Sequence, residues 1–354
     1  MTNKQWQLLL DIIQGKQLDI TPVGFIIDSP WIPGWAGIST LDYFTSEQLW
    51  FEANLKAVRE FPEVLFLPGF WSEYGMCTEP SAFGAKCTWH ENELPFADKI
   101  IHSMEDIDRL NCPDPHKDGL APFVLKRLGR YRKSIEAEGH AVRFAVARGP
   151  LNVASFLMGT TEFLIGLRTE PEKIHKLLSV ITEYLCRWLQ VQKAAFDSID
   201  GIFILDDIVG FCGETDFLEF AKPYLLQIFN AFPAAVNFFH NDADGRVCAH
   251  YLSEIGINMF NFSFLHTLPE MKEWTRNQVV LVGNLPPRDT LALGSPEEVF
   301  RQVQDMANSV SDKTRILLSA GGGMPDGVRS ENITAFLKAV DRKKVNVLSG
   351  ADVK

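Results

Sequence analysis

The chain has 354 residues, 46% of them hydrophobic and 22% charged, with a formal net charge of −11. That balance belongs to a folded globular protein and excludes an intrinsically disordered one. An acidic surface with no Lys/Arg stripe argues against nucleic acid as a partner, and no apolar run approaches the roughly 20 residues of a membrane-spanning helix.

In chain order, residues 1–16 show no basic head, long apolar stretch or small-residue cleavage site, so no signal peptide is expected and the cytoplasm is the expected location. They read instead as an amphipathic helix ending at Gly15. Eight apolar, β-branched or aromatic runs follow, at 21–27, 64–68, 141–147, 201–207, 236–242, 257–263, 279–286 and 315–320. They are continuously apolar rather than alternating, as expected for parallel strands covered on both faces. Helical patterns fill 46–60, 161–167, 171–196, 214–231, 246–254, 268–275, 295–310 and 331–340. Strand–helix alternation of this kind predicts an α/β fold, a single (β/α)₈ TIM barrel spanning residues 1–354. The 69–140 stretch is longer than one helix needs and rich in aromatic and glycine residues at its start. It is expected to form a lid or wall over the strand ends, and its second half fits an extra packing layer equally well.

Active sites of such barrels lie at the C-terminal ends of the strands. There the chain places Asp28 and Trp31, then Trp71 and Tyr74, Arg148, Asp206-Asp207, His240-Asn241-Asp242, Asn261, Asn284 and Gly321–Gly323. Strand residues two apart face the same side, so His240 and Asp242 can converge on one ion, with Asp206 or Asp207 of the neighbouring strand as a third ligand. A His–Asp hydrogen bond that merely orders the rim is the alternative. Adjacent residues face opposite ways, so only one of Asp206 and Asp207 enters the mouth; the other caps a helix or pairs with a base. The glycine run permits close approach of a ligand or anion binding, or else a tight turn, and fits no nucleotide fingerprint. Trp31, Trp35, Phe70, Trp71 and Tyr74 flank these polar ends and could hold a planar substrate. His90, His250 and His266 read as structural. The six cysteines (77, 87, 112, 186, 212 and 248) contain no Cys-x-x-Cys pair and are expected to be free thiols. Cys77 and Cys87 could share a metal, but their spacing fits no zinc signature.

The segments Leu205-Asp-Asp-Ile-Val-Gly, Phe239-His-Asn-Asp, Phe260-Asn-Phe-Ser, Val282-Gly-Asn-Leu-Pro-Pro and Leu318-Ser-Ala-Gly-Gly-Gly resemble the uroporphyrinogen decarboxylase superfamily over nearly the whole chain. That resemblance implies one of two activities: cofactor-free decarboxylation of uroporphyrinogen in porphyrin biosynthesis, or zinc-assisted methyl transfer by the corrinoid-linked branch. The decarboxylases hold their polycarboxylate substrate with an arginine-rich loop after strand 1. Here that loop is Asp28-Ser-Pro-Trp-Ile-Pro-Gly-Trp, and Leu67-Pro-Gly-Phe-Trp lacks the decarboxylase aspartate. The methyltransferases ligate zinc through His-x-Cys and a later cysteine. His240 matches the histidine, Asp242 replaces the first cysteine, and Gly322 stands where the second would be.

The leading expectation is a methyltransferase of the corrinoid branch. A divalent metal, zinc among the candidates, would be held by His240, Asp242 and Asp207, or completed by Glu73. A corrinoid would be carried by a separate protein. Asp28, Asp207 and His240 would be catalytic, and Trp31, Trp71, Tyr74, Arg148, Asn261, Asn284 and Gly322 would contact a small-molecule substrate. The alternatives are a metal-free decarboxylase in which Asp28 or Asp207 stabilises positive charge, and a non-catalytic barrel that binds a corrinoid or tetrapyrrole. A homodimer stays open.

Overall fold

The computed structural model describes residues 1–27 and 29–340. Strands β1 (Gly24–Ile26) and β2 (Leu65–Leu67) pair in parallel. Strands β3 (Phe144–Arg148), β4 (Gly201–Leu205), β5 (Val236–Asn241), β6 (Met259–Phe262), β7 (Val280–Leu285) and β8 (Ile316–Ala320) form a six-stranded parallel sheet in which each strand neighbours the next in sequence. A parallel bridge from Val23 to Leu318 joins β1 to β8, and the Leu318 amide donates to the Pro22 carbonyl at 2.9 Å. At β2 and β3 the described residues form no ladder with each other. Beside β3, Thr2 bridges His140 and the Ala141 amide donates to the Met1 carbonyl at 2.9 Å.

Each strand is apolar on both faces because each face meets a different core. Ile202, Ile204, Phe239, Phe260, Leu281 and Leu318 pack outward with the helices. Ile26, Leu65, Leu67, Phe203, Leu205, Phe238, Val280, Val282 and Leu317 pack together on the inner side. The Phe203 and Phe238 rings stack there at 4.3 Å between centroids. The N-terminal helix Asn3–Ile13, held by a Thr2/Gln5 capping box, adds Trp6, Leu9 and Ile12 to this inner cluster. Toward the C-terminal strand ends the inward sequence turns polar, at Arg148, Asp207, His240 and Asp242, and that change of chemistry positions the site.

The 69–140 segment contains a helix (Thr78–Ala82), a hairpin of Cys87–Thr88 with Phe96–Ala97, a 3₁₀ turn (Met104–Arg109) and a long helix (Ala121–Ala137). Its first half reaches the cavity at the strand ends, through Gly75, Met76 and Leu94, whereas Ala121, Val124 and Leu128 of the long helix join the outer core. Residues 150–158, between the third predicted strand and the helix predicted at 161–167, form a helix of their own, Pro150–Met158. Pro150 presets its first turn, and the side chain that satisfies its free amides, Asp206, comes from just past the end of β4, which local sequence cannot reveal. No single helix among the described residues is long and apolar enough to cross a membrane.

Candidate active site

A cavity of about 220 Å³ opens at the C-terminal strand ends, with Arg148, Leu205, Asp207, His240, Asp242 and Met324 among its lining. The register of β5 against β6 sets His240 opposite Asn261, and the His240 Nδ1 and Asn261 Oδ1 atoms lie 2.7 Å apart. Asn261 is itself held by its amide nitrogen, which donates to the carbonyls of Val282 at 2.7 Å and Ala320 at 3.0 Å. That leaves its oxygen as the acceptor, so Nδ1 carries the proton and the Nε2 lone pair faces the cavity. Nε2 lies 3.4 Å from Asp207 Oδ1 and 4.0 Å from Asp242 Oδ2. The Asp242 amide donates to Asp207 Oδ1 at 3.1 Å and ties the two loops together.

Asp207, His240 and Asp242 can each offer one ligand atom, and these atoms lie within 4.8 Å of one another, the one such group of three among the described residues. Burial pushes the Asp242 carboxyl up to about 6, the Asp207 charge adding to the effect and His240 opposing it. Two carboxylates this close repel unless a proton or a cation sits between them. The donor set therefore fits a divalent ion. One imidazole nitrogen and two carboxylates form a harder site than a thiolate one, and they suit zinc or a harder metal. Asn261 is the outer partner that fixes the ligating tautomer.

Asp206 is wholly buried and points away from this group. Its oxygens accept from the amides of Leu151 at 2.9 Å and Asn152 at 3.0 Å, at the start of the Pro150–Met158 helix. Of the two adjacent aspartates, Asp207 faces the cavity and Asp206 satisfies a helix terminus.

Arg148 is the one Lys or Arg among the described lining residues. Its guanidinium sits 3.7 Å from Glu73 Oε2 and 5.8 Å from the Trp71 ring centroid. Glu73, offered from sequence as a metal ligand, accepts instead from the Ser29 hydroxyl at 2.5 Å and faces Arg148. Trp71 and Tyr74, expected to contact substrate, do not line this cavity: Trp71 borders a smaller one with Glu73 and Arg148, and Tyr74 sits edge-on to Trp89 at 6.2 Å. Gly322 abuts the acidic pair: its φ is +152°, and a Cβ there would lie 3.3 Å from Asp242 Oδ2.

Three further expected substrate contacts also lie elsewhere. Trp31 has no exposed surface and donates its indole N–H to the Val328 carbonyl at 3.0 Å, because the chain turns inward after β1. Asn261 is fully buried and engaged with His240. Asn284 donates to the Ser263 carbonyl at 3.3 Å and to that of His266, and it borders a separate open groove with Met306 and Gln302. Asp28 lies outside the described residues. Met324 and Leu94, which no motif singled out, line the cavity because the loop after β8 and the hairpin fold over it.

The family model described as uroporphyrinogen decarboxylase (URO-D) matches residues 4–343. Among curated relatives, the uroporphyrinogen decarboxylase of Mannheimia succiniciproducens is 21% identical over 276 residues, covering 74% of this chain and 75% of that protein. The one from Xylella fastidiosa is 23% identical over 307 residues, covering 82% and 83%. Among solved structures, a methyltransferase from Methanosarcina mazei aligns with a TM-score of 0.79 at 19% identity, covering 95% of this chain and 97% of that one. A B12-independent methionine synthase from Shewanella sp. W3-18-1, in complex with selenomethionine, aligns at a TM-score of 0.59 and 11% identity, covering 93% and 98%. These structural likenesses speak to the fold. With the family model matched along almost its entire length, this chain belongs to the uroporphyrinogen decarboxylase family.

Proposed function

We propose that this protein is a methyltransferase built on a (β/α)₈ barrel, moving a methyl group between a small substrate and a corrinoid carried by a separate protein. The observation that carries this reading is the convergence of Asp207, His240 and Asp242 on one point of the cavity wall. These residues would hold a divalent metal, which when bound supplies Lewis-acid polarisation of the atom that gives or accepts the methyl group. Asn261 orients His240, and Arg148, steadied by Glu73 and Trp71, offers a single positive charge to the substrate. Met76, Leu94 and Met324 form an apolar wall that limits water. One guanidinium cannot neutralise a substrate bearing many carboxylates, which sets uroporphyrinogen itself at a disadvantage.

Metal binding is expected to depend on pH through Asp242. Its carboxyl titrates near 6, above its ordinary 3.8, so protons compete with the metal below that pH. Affinity for Zn²⁺ should fall by up to about tenfold per pH unit below 6 and level off above it. The metal-free protein behaves in the opposite sense. Its folded state holds the Asp242 proton more tightly than the unfolded chain does, so this group's stabilisation is present below about 4 and lost as pH rises through 6. Calorimetric Zn²⁺ titrations and thermal unfolding between pH 4.5 and 8 read the two effects separately.

The activity is tested by incubating the zinc-loaded protein with free methylcobalamin and a panel of small anionic thiols and alcohols. Visible absorbance follows loss of the cobalt-bound methyl. Demethylation with a methylated acceptor supports the reading. No transfer, together with CO₂ release from uroporphyrinogen, would replace it with decarboxylation.

A further inference from the structure

We propose that Cys77 and Cys87 form a redox-active dithiol, and that its oxidation to a disulfide ties one wall of the His240 cavity to the hairpin that supplies another. The inference stands apart from the methyl-transfer reading. The two sulfurs lie close enough to shift each other's titration, Cys77 on the donor side, while the Cys87 thiol also reaches the Ala85 carbonyl at 3.9 Å. The backbone around them is in contact on its own account. A Cβ on Gly75 would lie 3.2 Å from Pro95 of the hairpin, and the Tyr74 and Trp89 rings meet at 6.2 Å. Cys87 pairs with Ala97 across the hairpin. Gly75 and Met76 on one side and Leu94 on the other all line the cavity. The other four thiols, Cys112, Cys186, Cys212 and Cys248, each donate to a backbone carbonyl as Cys87 does, but none of them is paired with a second thiol. No third His, Cys, Asp or Glu joins the pair as a metal group among the described residues, which favours redox chemistry over metal binding.

Burial separates the roles of the two sulfurs. Cys77 is fully buried, and Cys87 is partly open to solvent. The neighbouring Cys87 sulfur, and then burial, push the Cys77 thiol up, while the Cys77 thiol holds Cys87 below its ordinary value. Cys87 is therefore the sulfur that reacts first. With glutathione disulfide as oxidant, the Cys87 thiolate attacks one glutathione sulfur, forming a mixed disulfide and releasing one glutathione. Cys77 then gives up its proton and attacks the Cys87 sulfur, forming the internal disulfide and releasing the second glutathione. Both thiol protons end on the two glutathione products.

The test uses the full chain, equilibrated over a range of reduced to oxidised glutathione, quenched by alkylation and mapped by mass spectrometry without reduction. The expected result is loss of two free thiols per chain, one peptide link between Cys77 and Cys87, and reversal by dithiothreitol, with the other four cysteines alkylated throughout. In Cys77→Ser, Cys87 should instead stop at the mixed disulfide. The wild-type measurement decides the matter even if that variant folds poorly. A link between other cysteines, glutathione retained on wild-type Cys87, or free thiols across the whole range would overturn the dithiol. The link to the cavity is read from the rate at which diethyl pyrocarbonate modifies His240. That rate should fall on oxidation and recover on reduction, and an unchanged rate would overturn the tether.

Discussion

His240→Ala is expected to abolish stoichiometric metal binding while leaving the fold intact. The imidazole is the only nitrogen donor in the set, and its Nε2 lies 3.4 Å from Asp207 Oδ1 and 4.0 Å from Asp242 Oδ2. Without it two mutually repelling carboxylates remain, joined through the Asp242 amide. Loss of an outer partner such as Asn261 typically costs about 10–100-fold in metal affinity, and loss of a ligand should cost more. The substitution also leaves Asn261 Oδ1 without its imidazole partner in a buried setting, a penalty of roughly 1–3 kcal/mol. Melting temperature should therefore drop modestly, whereas the zinc-to-protein ratio after equilibrium dialysis should fall to that of Asp207→Asn/Asp242→Asn. Retention of one zinc per chain in His240→Ala would remove the imidazole from the site.

Phe238→Ala carries the largest expected cost in stability. Phe238 precedes His240 by two residues on the same side of β5 and stacks on Phe203 at 4.3 Å with 9° between the rings. Both rings have no exposed surface and belong to the inner cluster beneath the cavity. Truncation removes the ring's transfer energy and leaves a void that neighbouring strands cannot close, about 3–5 kcal/mol in total. For a chain of this size that corresponds to a fall of roughly 4–7 °C in melting temperature. Because the layer supports His240 from below, metal affinity should weaken as well. Phe238→Leu, which keeps most of the volume, should recover most of both losses. Calorimetric unfolding checks the first effect, and zinc titration of the folded variants checks the second.

The strands were legible because burial on both faces leaves a mark that does not depend on distant parts of the chain. Gly201–Leu205 is apolar throughout, and all five residues are buried. The His240–Asp242 pair was legible for the same reason, since residues two apart share a side whatever the neighbours do. Asp206 and Asp207 were legible only as an alternative. Which one turns inward follows from the parity of Phe203 and Leu205, and where the other goes depends on a helix that begins at Pro150. Sequence places Asn261 at a strand end beside the site, and in the structure its side chain is buried against His240. Its place beside His240 is set by the register of β5 against β6, a long-range property. Trp31 shows the limit for aromatics: sequence puts it at a strand end, but the turn after β1 decides whether its ring meets solvent or core, and the ring is sealed inside. Glu73 was read as a potential ligand because its distance from Arg148 could not be seen.

Metal binding by Asp207, His240 and Asp242 underlies the proposed methyl transfer. The most direct measurement is anomalous diffraction from zinc-soaked crystals of the full chain, collected above and below the zinc absorption edge. One anomalous peak per chain is expected, about 2.0–2.2 Å from His240 Nε2 and from a carboxylate oxygen each of Asp207 and Asp242. A cavity with no anomalous peak, or a peak bound away from His240, would contradict it.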